Sequence, residues 1–126
     1  MSDNSIEHLD VVVVGAGFAG MYAVYRANKD NRSVKCFEAG TDVGGTWYWN
    51  RYPGARVDIE CLEYSYSFDE ALQQEWEWTE RYAGQDEILN YAKHVTERYN
   101  LRDHMQFETR VESAIFNEET QRWEVK

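Results

Sequence analysis

The ten residues VVVVGAGFAG, from Val11 to Gly20, constrain the fold more than any other stretch of the chain. Four consecutive valines cannot alternate between a buried and a solvated face, so their strand must be covered on both faces, as strands of parallel sheets are. After the glycines, Met21, Val24 and Tyr25 recur at the spacing of a helix with one buried side. A buried strand, a tight turn and a helix predict an α/β fold with a short parallel sheet and flanking helices.

The turn between this strand and this helix carries the pattern G-x-G-x-x-G at Gly15, Gly17 and Gly20. In such a turn the first glycine permits the tight bend, the second lets a pyrophosphate approach the backbone, and the third lets helix and strand pack closely. A second strand is predicted within residues 33–40, SVKCFEAG, and it ends on Glu38. A carboxylate there can accept hydrogen bonds from ribose hydroxyls and repels a 2′-phosphate. The unit predicts a dinucleotide site; the alternative is a glycine turn with only a structural role.

The rest of the chain gives weaker local signals. Pro53 and several glycines predict a long ordered loop over residues 44–54, and apolar alternation predicts an extended segment over residues 62–68, followed by weak helical character from Asp69. Residues 86–100 carry the stripe of an amphipathic helix. Residues 105–111 are predicted as a strand, and residues 111–126 as a β-hairpin in which Phe116 faces Trp123.

The net charge bears on the partners that the chain can bind, and the cysteine content bears on its compartment. A formal net charge of -10 disfavours binding to nucleic acid or to an anionic membrane surface. Two cysteines, an acidic and polar beginning MSDNSIEHLD and the lack of a long apolar run predict a cytoplasmic protein with free thiols. The three histidines show no ligand spacing with the cysteines, so no metal site is predicted.

The segments GAGFAG, FEAG and GGTWYWNRYPGARVD, followed by E-Y-x-Y-S-F and W-T-E-R-Y, resemble Baeyer-Villiger monooxygenases, most closely the phenylacetone and steroid monooxygenase branch. The resemblance runs from about Asp10 to the end of the chain. It implies FAD in a first Rossmann-like domain and NADPH in a second, with O2 used to convert a ketone into an ester or lactone. Residues 1–126 would be the N-terminal part of the FAD-binding domain, truncated and without the NADPH domain.

The resemblance also implies roles for particular residues. The glycine turn with Phe18 and Ala19 would face the FAD pyrophosphate, and Glu38 the adenosine ribose. Asp58 is the implied catalytic residue, a buried acid beside the nicotinamide site that supports an essential arginine of the second domain. The other implied cofactor-binding residues line the flavin side, flank Asp58 or lie near the adenine: Gly45, Thr46, Trp47, Trp49, Arg56, Val57, Tyr64 and Val111. Val57 departs from the cysteine expected in the nearest branch.

Two other interpretations stay open at this point. The chain could belong to a related N- or S-oxygenating flavoprotein monooxygenase, or it could be a nucleotide-binding fragment without catalysis. In the family pattern the hairpin continues into a strand that lies beside the first one. Without that strand, Val11–Val14 would be an unprotected sheet edge, so the chain alone is predicted to be inactive and to self-associate.

Overall fold

The computed structural model describes residues 5–126, and its centre is a β-α-β unit. Strand β1 (Val11–Val14) and strand β2 (Val34–Phe37) pair in parallel, with helix α1 (Phe18–Lys29) between them in sequence. The residues that precede the two strands are joined by two reciprocal hydrogen bonds: Asp10 N donates to Ser33 Oγ at 2.8 Å, and Ser33 N donates to Asp10 Oδ2 at 2.9 Å. The predicted α/β fold is therefore confirmed.

The remaining elements extend the sheet by one strand and add a separate hairpin. In chain order the elements after β2 are α2 (Thr46–Trp49), α3 (Cys61–Tyr64), α4 (Glu70–Glu75), α5 (Gln85–Arg98), a 3₁₀ turn (Leu101–His104), β3 (Met105–Gln106), β4 (Ala114–Asn117) and β5 (Arg122–Val125). Short strand β3 pairs in parallel with β2, which gives the order β1-β2-β3, while β4 and β5 pair in antiparallel fashion.

The structure corrects three of the local predictions. Residues 61–64 form a helical turn, so the predicted extended segment is wrong at residues 62–64. Tyr66 and Phe68 pack against the apolar core, whereas Leu62 is exposed. The loop over residues 44–54 contains a second helical turn, α2. The predicted strand at 105–111 has regular pairing only at Met105–Gln106. In each case contacts with distant residues decide the local conformation, which is the usual limit of propensity arguments.

Two apolar clusters support these elements. The larger one lies between α1, the sheet and α5, and the smaller one lies beneath α2 and includes Trp47, Val57, Cys61, Ile88 and Leu89. Both cysteines are free thiols, as predicted, and the structure shows that both are buried. Burial, with a contribution from the Glu38 carboxylate, raises the pKa of the Cys36 thiol to about 11, so this thiol stays protonated at neutral pH.

In the part of the chain that the structure describes, strand β1 lies at one end of the sheet. Among residues 5–126 it pairs with β2 alone, and the side chain of Val14 is 63% exposed. A groove of about 740 Å³ separates this edge from the hairpin. Within the hairpin Phe116 faces Trp123, as predicted, with ring centroids 5.4 Å apart. Of the helices that residues 5–126 form, none has the length and apolar character required to cross a bilayer.

Candidate functional site

The turn between β1 and α1 requires glycine at two positions, at Gly15 because of its backbone conformation and at Gly20 because of a close backbone contact. Gly15 has φ of +95°, and its N–H donates to the Phe37 carbonyl at 2.8 Å. A Cβ placed on Gly20 would lie 1.8 Å from the Gly15 carbonyl oxygen. The first and third glycines of the motif are therefore required for the bend and for the packing of α1 on β1, as the pattern predicts.

Helix α1 begins without a side-chain cap. Its N-cap residue is Gly17, which offers no side-chain acceptor, and no acidic residue lies in the first turn. The first N–H groups of a helix have no partner inside it, and together with the helix dipole they attract anions. The start of α1 thus retains donors for a phosphate that a serine or aspartate cap would have occupied.

Glu38 lies at the carboxyl end of β2 beside this turn, and its carboxylate is buried, with 6% of the residue exposed. Oε1 accepts from Ala16 N at 2.8 Å, and Oε2 accepts from Gly40 N at 2.6 Å. Both oxygens keep lone pairs for further donors, because each carboxylate oxygen has two acceptor sites. The acid is therefore fixed in position against the glycine turn.

The loop that follows β2 docks directly onto the glycine turn. Gly44 N donates to the Ala16 carbonyl at 3.0 Å. Gly45 has φ of +54°, and a Cβ on it would lie 2.8 Å from the Gly17 Cα. The resemblance implies that Gly45 binds the cofactor; the structure shows that this glycine permits the close approach of two backbone segments. This contact brings α2 to the start of α1.

Aromatic rings line the region next to this contact. Trp47 is buried, and its Nε1–H donates to Tyr64 Oη at 2.8 Å. Tyr64 lies 5.4 Å from the Phe18 ring, and Phe18 stacks on Tyr66 with centroids 5.3 Å apart. Phe18, Tyr64 and Tyr66 also line an open cavity of about 570 Å³ beside the first turn of α1. The structure therefore joins two of the predicted flavin-side residues to the glycine turn.

The predicted residues around Asp58 lie in the loop between α2 and α3, in which Arg56 forms an isolated antiparallel bridge with Gly84 and Asp58 lies in a bend. Val57 is buried in the smaller cluster, and its N–H donates to the Ala83 carbonyl at 3.1 Å. Arg56 forms an ion pair with Glu80 and donates to the Tyr82 carbonyl. Asp58 is exposed among residues 5–126. Its implied role as a buried acid beside the nicotinamide site concerns the complete enzyme and stays a prediction.

The remaining predicted residues lie at the margins of this arrangement. Thr46 is exposed, and Trp49 is 61% exposed at the end of α2. Val111 is half-buried two residues after Thr109, whose N–H donates to the Glu38 carbonyl at 3.0 Å. Val111 therefore follows the segment that lies alongside Glu38, on the side where the resemblance implies the adenine.

Sequence reasoning missed two residues that hold the site. The Tyr66 hydroxyl donates to the Phe18 carbonyl in the first turn of α1, and burial raises the pKa of Tyr66. The Gln85 side chain donates to the Trp47 carbonyl. Tyr66 stands in the E-Y-x-Y-S-F pattern and was detectable as one of its rings, but no local signal marks Gln85, because its partner is 38 residues away.

The arrangement fits an elongated anionic ligand with an aromatic end. Uncapped N–H groups suit a pyrophosphate, the fixed Glu38 carboxylate suits ribose hydroxyls, and the Trp47–Tyr64 wall suits a flat ring system. The close approach at Gly45 and Gly17 leaves no side chain between these parts. The residues present therefore fit a dinucleotide such as FAD.

Comparisons with known proteins agree with this fit. The profile of the "NAD(P)-binding Rossmann-like domain" matches residues 13–71. The chain is 46% identical over 117 residues to a Baeyer-Villiger monooxygenase of Pseudooceanicola batsensis, with 92% of this chain and 22% of that protein covered. It is 44% identical over 119 residues to a phenazine N-monooxygenase of Lysobacter antibioticus, with 94% of this chain and 22% of that protein covered.

A solved structure gives the same relation. An oxidized steroid monooxygenase bound to NADP superimposes with a TM-score of 0.92 at 56% identity, over 94% of this chain and 23% of that one. The chain thus spans 22% of the length of the two curated relatives.

Proposed function

We propose that the chain is the FAD-binding segment of a Baeyer-Villiger or related flavin monooxygenase, because it is similar in sequence and fold to part of such enzymes. The complete protein would use NADPH and O2 to convert a ketone into an ester or lactone. The observation that carries this proposal is the uncapped start of α1, with Glu38 fixed on one side and the Gly45–Trp47 segment docked on the other.

Each part of the site has a role in this proposal. The N–H groups at Phe18, Ala19 and Gly20 would bind the pyrophosphate, and Glu38 would accept from the ribose hydroxyls while it keeps its bond to Ala16. When bound, FAD supplies the oxygen-activating chemistry. Trp47 and Tyr64 would exclude water from the flavin side, which protects a reactive centre from hydrolysis.

Asp58 would serve the complete enzyme and not this segment alone. Its exposed carboxylate has room to accept a guanidinium, and a charge-assisted pair of this kind would orient that cation. Arg56 and Val57 directly precede Asp58 and would fix its position, because Arg56 pairs with Glu80 and Val57 N donates to the Ala83 carbonyl. We propose Asp58 as the catalytic-site residue of this segment.

A titration of the chain with FAD tests the cofactor assignment. We expect saturable quenching of flavin fluorescence, because the isoalloxazine ring would stack near Trp47. NADPH should bind at least about tenfold more weakly, since Glu38 faces the 2′-position of the adenosine ribose and like charges repel. A chain that is folded by circular dichroism but gives no saturation with FAD would contradict the proposal.

The complete enzyme could insert oxygen next to a ketone carbonyl or transfer it to a nitrogen atom of the substrate. The similarity to a phenazine N-monooxygenase supports an N-oxygenating alternative for the same FAD-binding segment. Product analysis with a ketone and with an aromatic N-heterocycle as competing substrates separates the two, because only oxygen insertion beside a carbonyl yields an ester or lactone.

We further propose that the isolated chain self-associates through the β1 edge, in the cytoplasm and without nucleic acid or membrane partners. The unpaired backbone groups of β1 and the exposed Val14 favour strand pairing between copies. Val14→Lys should lower the mass measured by light scattering toward that of the monomer, because a charge at the edge blocks pairing. Leu62→Lys, at a position that is 79% exposed on α3, is the matched control and should change nothing. A monomeric parent chain would refute this proposal.

A further inference from the structure

The residues 79–85, TERYAGQ, run antiparallel along the segment that carries Arg56, Val57 and Asp58; we call residues 79–85 the strap. Three backbone hydrogen bonds join the strap to this site segment. Gln85 N donates to the Ala55 carbonyl at 2.9 Å, Val57 N to the Ala83 carbonyl at 3.1 Å, and Cys61 N to the Arg81 carbonyl at 2.9 Å. The strap therefore fixes the backbone on both sides of Asp58.

Side chains set the register of the strap. Glu80 of the strap pairs with Arg56, and Arg81 of the strap pairs with Glu60, so each segment contributes one positive and one negative side chain. Exposed pairs of this kind contribute little stability, but a shift of the strap by one residue would place like charges together. The Ala83 N–H also donates to the buried Cys61 Sγ at 3.1 Å.

The last residue of the strap reaches a second part of the site. Gln85 is the first residue of α5, and its side-chain amide donates to the Trp47 carbonyl in α2. The last carbonyls of any helix have no partner within the helix, and α2 has only four residues. Gln85 therefore supplies a hydrogen bond that α2 cannot supply for itself. The same helix α5 also packs on Gly44 through Leu89.

We propose that Gln85 is a positioning residue for the Trp47–Tyr64 wall on the flavin side, because it links α2 to the segment of Asp58 and is not itself part of that wall. The strap holds the Asp58 segment by its backbone, and the Gln85 side chain holds the carbonyl of Trp47. Helix α2 and the segment of Asp58 are thus connected through residues of the strap. The assignment of the wall to a flavin rests on the proposed function, whereas the mechanical coupling does not.

Two substitutions remove the amide donor in different ways. Gln85→Met keeps the length of the side chain, and Gln85→Glu keeps its shape while it adds a negative charge to the first turn of α5, which favours that helix.

In amide hydrogen exchange of the apo chain, we expect the Trp49 and Asn50 amides to exchange about fivefold faster in both variants, the effect of one lost hydrogen bond. The Val57 and Cys61 amides should change less than about twofold, because their own bonds to the strap remain. Gln74→Met, at an exposed position on α4, is the control and should leave all four amides unchanged.

The outcomes separate this inference from the proposed function. Unchanged exchange at Trp49 and Asn50 in both variants overturns the positioning role, even if FAD binds. A uniform rise at all four amides also overturns it, since that result indicates a general loss of stability. If the parent chain binds FAD, the variants should bind it about threefold to tenfold more weakly, as expected for one lost hydrogen bond. If the parent does not bind FAD, the proposed function fails while the exchange result still decides the role of Gln85.

Discussion

Replacing Gly20 with alanine should unfold a large fraction of the chain, with a loss of about 3 kcal/mol or more in the free energy of unfolding. The added Cβ would lie 1.8 Å from the Gly15 carbonyl oxygen and 2.9 Å from the Gly15 carbonyl carbon. Neither atom can move freely, because Gly15 N is bonded to the Phe37 carbonyl in the neighbouring strand. Helix α1 would have to separate from β1, which breaks the larger apolar cluster. Urea denaturation followed by circular dichroism measures the loss.

Gly54→Ala is the matched control for this substitution. Gly54 has φ of +84°, but no atom lies within 4 Å of the position of its Cβ. The control therefore carries backbone strain without a collision, and it should cost about 1–2 kcal/mol. If Gly20→Ala proves no more destabilising than Gly54→Ala, α1 and β1 do not pack as closely as described.

Replacing Glu38 with alanine is expected to weaken both folding and nucleotide binding. The change leaves the N–H groups of Ala16 and Gly40 without acceptors in a buried place, at a cost of about 2–4 kcal/mol. It also removes the acceptor for the ribose, so FAD affinity should fall about 100-fold, equivalent to the loss of two hydrogen bonds with a charged group. Thermal unfolding and the FAD titration measure the two effects.

Two further variants separate the causes of this effect. Glu38→Gln keeps one carbonyl oxygen but turns an amide N–H toward a backbone donor, so we expect about half of the loss in stability. Glu97→Ala removes a carboxylate from an exposed position on α5 and should be neutral in both measurements. Normal FAD affinity in a folded Glu38→Ala chain would contradict the ribose role, and normal stability would contradict the hydrogen bonds to Ala16 and Gly40.

The candidate site is assembled from three segments that are far apart in sequence. The glycine turn supplies backbone donors, the loop after β2 supplies Trp47, and the segment before α3 supplies Asp58. Gly45 joins the first two by close backbone contact, and the strap joins the last two. The site therefore depends on contacts between loops, which explains why the loop motif is long and rich in both glycine and aromatic residues.

The similarity to monooxygenases that the loop motif indicated is confirmed by the relatives and by the solved structure. The roles of the individual residues stay predictions, because FAD binding by this chain awaits the titration. The alternative of a purely structural glycine turn finds less support, since a structural turn does not require an uncapped helix start with a fixed acid beside it.

Elements whose signals are local can be predicted from the order of the amino acids. A run of valines, glycines at fixed offsets and a helical stripe specify β1, the turn and α1, because each depends on residues within one or two turns of chain. The stripe over 86–100 specified most of α5 for the same reason, and the pairing of Phe116 with Trp123 followed from the short connection of the hairpin.

The conformation of the aromatic segment depends on long-range contacts, and so do the residues that hold it. The turns α2 and α3 form because Trp47 and Cys61 are buried against residues of the strap and α5, and burial outweighs the weak preferences of such short segments. The hydrogen bond from Trp47 to Tyr64 and the one from Gln85 to Trp47 join residues that are at least 17 positions apart in sequence. The exposure of Asp58 depends in the same way on which distant segments lie near it. Contacts of this range leave no periodic trace in one sequence, so only the folded chain reveals them.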